Sequence, residues 1–238
     1  LYVNKSEGFI GTSLRKDEYV CDCSDIDDII VFTAEGKMMV TKVDSKTFIG
    51  KNIIHVAVFK KKDKRTIYNM IYRDSKSKNT YMKRFAVTSM TRDRAYTVGA
   101  NEKQTKVLYF SANPNGEAET VMVYLRQVGS IKKLKFDVDF ADMAIKGRGV
   151  KGNLVTKHPV KRIELKEEGV STLKPRRIWF DDTVQRLNVD DRGDLLGEFK
   201  AEDRLLIITQ KGIAKTIKPE LTTRFDDDMV VLEKWNPK

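Results

Sequence analysis

The sequence predicts an all-β chain arranged as a propeller-like array of blades, on three observations. Apolar runs are rich in Val, Ile, Thr, Tyr and Phe, which suit pleated, half-buried surfaces. Among them is no long window with apolar residues at helical spacing. One hairpin-like phrase is also written near both ends of the chain: "DDIIVFTAEGKMMVT" from Asp27 and "DRLLIITQKGIAKTI" from Asp203. Each is an acidic start, an apolar run, Thr, two residues, Gly and a second strand-like run.

Taken in order, the first copy pairs Thr33 and Gly36 with Thr209 and Gly212 of the last. Degenerate copies lie between them, starting at Thr66, Lys106 and Lys135. Each reads as a hairpin: apolar run, polar turn, apolar run. The turns near Glu35, Ser75 and Pro114 recur about every 40 residues, a spacing typical of blade arrays. The C-terminal "RFDDDMVVLEKWNPK" offers one more strand after an acidic turn at Asp226 to Asp228. It is expected to pair with the N-terminal segment and close a ring, with Trp235 plugging the core.

Composition narrows the class. Apolar content of 40% suffices for a core, and 238 residues suit one large β domain or two small ones. No apolar run is long enough to span a membrane as a helix. The start, "LYVNKSEGFIG", has neither Met nor a signal-type run, so the chain reads as a fragment of a longer, cytoplasmic protein. Cys21 and Cys23 are too close along a strand for an unstrained disulfide and read as reduced, packed thiols. No metal set is apparent, because His55 and His158 lie far from them.

The net charge of +11 favours a polyanionic partner. It is uneven: Ile131 to Trp179 holds 13 Lys/Arg against 6 Asp/Glu, whereas residues 180–238 hold 10 against 13. Within the basic segment, "KGRGVKGNLVTKHPVKR" from Lys146 to Arg162 has six Lys/Arg and no acid. Gly147, Gly149 and Gly152 leave its backbone permissive, so that amides flanked by Arg148 and Lys151 can approach a phosphate. Lys157 and Lys161 are expected to share a strand face, with Arg162 on the other. Further basic positions fall beside the repeat turns: Lys37, Lys42, Lys83, Arg84, Arg126, Lys211 and Lys215. Arranged radially, they would line a rim, a track for a bent polyanion.

Other chemistries are poorly supported. There is no Walker A loop and no G-x-S-x-G elbow. The spaced glycines of "KGRGVKG" precede a strand-like run, not the helix that a dinucleotide fingerprint requires. His55 in "NIIHVAVF" reads as a satisfied strand histidine, and His158 as a polar contact in the basic loop. Asp27–Asp28, Asp181–Asp182 and Asp190–Asp191 read as turn formers.

The repeated acidic–apolar–T-x-x-G unit resembles the blades of the C-terminal domain of bacterial type IIA topoisomerase A subunits, from about Asp17 to Leu221. "SDIDDIIVFTAEGKMMVTKV", "FSANPNGEAE", "DFADMAIKGRGVKGNLVTKHPVKRIELK" and "DRLLIITQKGIAKT" look most like topoisomerase IV A subunits of the Bacteroidetes type. The resemblance implies a β-pinwheel, a propeller relative whose blades exchange strands, here a single domain over 1–238 with about five or six blades. Gyrase A subunits carry a Q-R-R-G-G-[KR]-G box in this domain. Here Lys146, Gly147, Arg148, Gly149, Val150, Lys151 and Gly152 stand in its place, with Lys146, Gly147 and Val150 departing from it.

That degeneracy favours topoisomerase IV behaviour, decatenation and relaxation with this domain guiding the transported duplex, over gyrase-type wrapping. By resemblance the partners are duplex DNA, the A-subunit dimer and the ATPase B subunit, and the isolated domain is a monomer. No cofactor is expected in this domain; ATP and Mg would serve the full enzyme, and the catalytic tyrosine would lie outside the chain. DNA contacts are expected first at Arg148, Lys151, Lys157, Lys161 and Arg162, without sequence readout. A protein-interaction propeller and a propeller hydrolase are the rival classes.

Overall fold

The structure is a computed structural model describing residues 1–74, 76–99, 105–200, 202–221 and 223–237. Ser75, where one repeat turn is expected, lies outside the described residues. The chain forms two compact units, Leu1–Gly169 and Val170–Lys238.

In the first unit, β1 (Tyr2–Asn4) and β2 (Phe9–Gly11) form a hairpin, and β3 (Glu18–Tyr19) lies on the free side of β1. Next comes the hairpin of β4 (Asp28–Thr33) and β5 (Lys37–Lys42). Beyond it β6 (Thr47–Phe48) returns to β2, and β7 (Ile53–Phe59) lies on β4. The third hairpin is β8 (Ile67–Asp74) and β9 (Thr80–Ala86). After it β10 (Tyr96–Thr97) returns to β5, and β11 (Thr105–Asn113) lies on β8.

The chain then starts a fourth sheet with β12 (Glu117–Leu125) and β13 (Lys135–Asp139). After a single 3-10 turn at Phe140–Asp142, β14 (Ile145–Lys146) and β15 (Asn153–Thr156) both return to β9. β16 (Val160–Ser171) completes the sheet on β12.

In the second unit, β17 (Arg176–Asp181) lies between β18 (Arg186–Asn188) and β19 (Asp194–Phe199). β20 (Leu205–Thr209) lies between β21 (Ala214–Ile217) and β22 (Met229–Lys234). A bridge from Arg224 to Arg186 repeats the pattern in which a sheet takes backbone from the segment that follows it.

The fold is all-β with exchanged strands, the blade pattern of a β-pinwheel. In the first unit the sheets stack face to face, which explains the unbroken apolar runs. Along β4, Ile29 and Val31 pack with Val3 and Ile10 of the first sheet, while Ile30 and Phe32 pack with Tyr68, Met70 and Tyr72 of the third. Both faces of the strand are therefore buried. On the far side of β8, Ile71 joins Val121 and Phe140. Phe32 sits among rings, with Tyr68 at 4.7 Å and Phe110 at 4.8 Å between centroids. Truncating such a residue costs about 3–5 kcal/mol.

The T-x-x-G phrase has a local cause. Gly36 N–H donates to Thr33 O (3.0 Å) and Gly212 N–H to Thr209 O (2.9 Å). The two glycines have φ of +70° and +75°, a left-handed conformation that closes the hairpin at no steric cost.

Several expectations are corrected. The segments starting at Lys106 and Lys135 are not hairpins. β11 and β12 belong to different sheets, and β14 and β15 cross back to β9, because strand exchange joins polar turns to neighbouring sheets. β22 pairs with β20, not with the N-terminal segment, where β1 is flanked by β2 and β3. Trp235 is 40% exposed and plugs no core. His55 packs against Phe32, Tyr68 and Phe110, but its buried Nε2 has no hydrogen-bond partner among the described residues. Burial first, and then the charge of Lys5, push its pKa down to about 4. Cys21 and Cys23 are free thiols packed beside the first core, as expected, though outside any strand.

Candidate nucleic-acid interface

The charge divides with the units. Residues 1–169 hold 32 Lys/Arg and 21 Asp/Glu, whereas residues 170–238 hold 13 of each. The whole surplus of +11 therefore belongs to the first unit.

Its most organised feature is the loop from Gly147 to Gly152, which connects β14 to β15. Both flanking strands pair with β9, so the loop is clamped at its two ends. Gly152 is required there. Its φ is +91°, and a Cβ would lie 2.2 Å from the carbonyl oxygen of Met82. Gly147 and Gly149 have open space where a Cβ would sit. The loop also closes on itself, with Val150 N–H donating to Gly147 O (3.1 Å).

Beneath the loop lies Lys83, only 3% exposed. Its Nζ donates to the carbonyl oxygens of Val98 (2.6 Å), Arg148 (2.5 Å) and Val150 (2.9 Å). Burial lowers its pKa to about 8, which leaves it an ammonium at neutral pH. Tyr72 Oη donates to Lys151 O at 2.6 Å, a second anchor. Two loop cations rest on aromatic faces: the Arg148 guanidinium lies 4.8 Å from the centre of the Tyr96 ring, and Lys151 Nζ lies 4.3 Å from that of Tyr81. Such contacts hold a long side chain in place while leaving its charge available. Arg94 shares the Tyr96 ring at 5.2 Å. Lys37 stands on the neighbouring strand, opposite Thr97 of β10.

Lys83 and Arg84 are not surface contacts, contrary to expectation. β9 is covered on both faces, and Arg84 is 2% exposed. Arg84 Nε donates to Asn69 Oδ1 (2.9 Å), and its Nη2 donates to the carbonyls of Gly116 (2.9 Å) and Glu117 (3.2 Å). Asn69 Nδ2 donates in turn to Glu119 Oε2 at 2.7 Å, and Ser111 Oγ donates to Glu119 Oε1. This network ties the third sheet to the fourth. A buried cation is tolerated because Asn69 Oδ1 and two carbonyls accept from it and the charge of nearby Glu119 offsets its own.

The other expected contacts fall into separate groups. Lys157 lies in the turn between β15 and β16, so it shares no strand face with Lys161. Arg126 N–H donates to Pro159 O (2.9 Å), which places Arg126 against that turn. Lys132, Lys133 and His158 line a neighbouring open cleft. Arg162 is exposed on β16, with its guanidinium 4.0 Å from the Tyr124 ring centre and paired with Glu164 at 2.6 Å. Lys146 is exposed at the end of β14. Lys42 is exposed opposite Asp28, which Arg92 pairs at 2.7 Å. Lys211 and Lys215 belong to the neutral unit, where Lys215 shares a pocket with Glu220, Asp226 and Asp228. Among the described residues no group of three or more His, Cys, Asp or Glu could hold a metal ion.

Sequence reasoning missed Arg94, Tyr96, Lys132 and Lys133. "RDRAYT" carries a signal only when β10 is known to return beside the loop.

Residues 1–168 and 186–238 match the family described as the topoisomerase C-terminal domain of Bacteroidota. The chain belongs to that family. This topoisomerase C-terminal domain is also 27% identical, over 168 residues, to the A subunit of DNA topoisomerase 4 from Borreliella burgdorferi. The match covers 70% of the chain and 25% of that relative, so the domain spans about a quarter of the relative's length. Two solved structures are similar at low identity. One is the C-terminal domain of DNA topoisomerase IV, with a TM-score of 0.40, 14% identity and coverage of 85% of this chain and 72% of that one. The other is the C-terminal domain of DNA gyrase A, with a TM-score of 0.31, 12% identity and coverage of 90% and 84%.

Proposed function

We propose that the chain binds duplex DNA through its phosphates, without sequence readout, and bends and positions the transported segment for a type IIA topoisomerase. The observation that carries this reading is the confinement of the +11 surplus to residues 1–169, together with a loop in that unit whose Arg148 and Lys151 are held on tyrosine rings. Ordered cations on a rigid sheet contact phosphates at little entropic cost. The chain would work as the accessory part of a cytoplasmic enzyme whose A-subunit dimer, B subunit, ATP and Mg lie outside it. The box-like loop departs from the gyrase pattern at Lys146, Gly147 and Val150, which favours decatenation and relaxation over wrapping. For residues 170–238, zero net charge and the exposed Ile213 and Val230 favour a protein contact instead.

The test is fluorescence anisotropy of a labelled duplex of about 40 base pairs at several salt concentrations. The wild type is expected to bind with a steep salt dependence. Absence of binding at low salt would sink the reading.

A further inference from the structure

The peptide group is planar and trans, so the C=O and the next residue's N–H point opposite ways. Lys83 Nζ draws the carbonyls of Arg148 and Val150 inward. The N–H groups of Gly149 and Lys151, in the same peptide units, are thereby turned away from the buried anchor. Two such amides, beside the cations of Arg148 and Lys151, supply donors suited to a phosphate oxygen. Lys83 bonds also to Val98 O, at the end of the segment that carries Tyr96. One ammonium thus sets both the loop and the aromatic rest on which Arg148 lies.

We propose that Lys83 is a positioning residue for phosphate binding: it never touches DNA, but its buried ammonium holds the box-like loop in the shape that presents Arg148, Lys151 and the two amides. This rests on the DNA-binding reading above. Three carbonyls converging on one cation explain why a lysine occupies a strand buried on both faces. Met at this position fills similar volume and supplies no donor. The loop would then keep the strand pairing of its two ends to β9 and the Tyr72 contact but lose its centre.

The experiment is a mutant cycle on the full chain, read by anisotropy with the duplex of about 40 base pairs. Lys83→Met is expected to weaken binding about tenfold in the wild-type background, and less than about twofold when Arg148→Ala and Lys151→Ala are already present. A similar loss in both backgrounds overturns the proposal, since Lys83 would then act independently of the loop. In parallel, amide hydrogen exchange at Val150, whose N–H closes the loop on Gly147 O, is compared in the two proteins without DNA. Lost protection confined to the loop supports the proposal, and unchanged protection overturns it. This arm decides the role of Lys83 even if the wild type binds no DNA, which would remove only the function proposed above. Should Lys83→Met fail to fold, Tyr72→Phe takes its place in both arms. It removes one donor to the same loop, with a loss of about threefold expected, and additivity there would likewise overturn the positioning role.

Discussion

Lys83 and Arg84 are consecutive on β9 and are buried on its opposite faces, one anchoring the box-like loop and the other the turn at Gly116. Two adjacent cations thus serve as internal struts. Arg84→Met removes the donor to Asn69 Oδ1 and to the carbonyls of Gly116 and Glu117, and leaves the buried Glu119 without its nearby positive charge. We expect a loss of about 3–5 kcal/mol in denaturant unfolding, against less than about 0.5 kcal/mol for the exposed Lys146→Ala. Equal effects would show that the buried network carries no stability.

The three loop glycines should separate. Gly152→Ala combines a left-handed φ with a Cβ 2.2 Å from a backbone oxygen, and should destabilise by more than about 1 kcal/mol. Gly147→Ala and Gly149→Ala meet open space and should change the melting temperature little. Comparable shifts for all three would contradict the loop geometry.

His55 makes stability depend on pH. Its folded pKa of about 4 lies below the ordinary 6.5, so the unfolded chain takes up a proton first as pH falls. The contribution is complete above the unfolded pKa and is lost as pH falls through 6.5 toward about 4, up to about 3 kcal/mol. His55→Phe should flatten that part of the profile in denaturant midpoints measured between about pH 7 and about pH 4.5. An unchanged profile would assign the acid sensitivity elsewhere.

If DNA lies over the first unit, Arg148→Ala and Lys151→Ala should each lower the log–log salt slope of binding by about 1. Lys211→Ala and Lys215→Ala, in the neutral unit, should leave it unchanged. The reverse pattern would move the track to residues 170–238.

Much of the fold was legible because it is local. The run Asp28–Thr33, the turn Ala34–Gly36 and the run Lys37–Lys42 encode a hairpin through apolar runs of strand length, β-propensity and a glycine that accepts a positive φ. The same signals sit at Leu205–Ile217. The basic loop was equally plain, because six cations without an acid need no structure to be counted.

Pairing across sheets was not legible. Nothing within β11 and β12 says that the turn at Pro114–Gly116 changes sheet, since that choice depends on which neighbours complete their edges. Nor does charge reveal burial. Lys83 and Arg84 look like surface cations until three carbonyls, Asn69 and Glu119 are brought around them from residues far away in sequence. The sequence by itself determined the strands, their turns and the sign and place of the charge, which depend on neighbours along the chain. Only the tertiary structure decided which cations face solvent and which brace the interior, because desolvation and hydrogen bonding depend on neighbours in space.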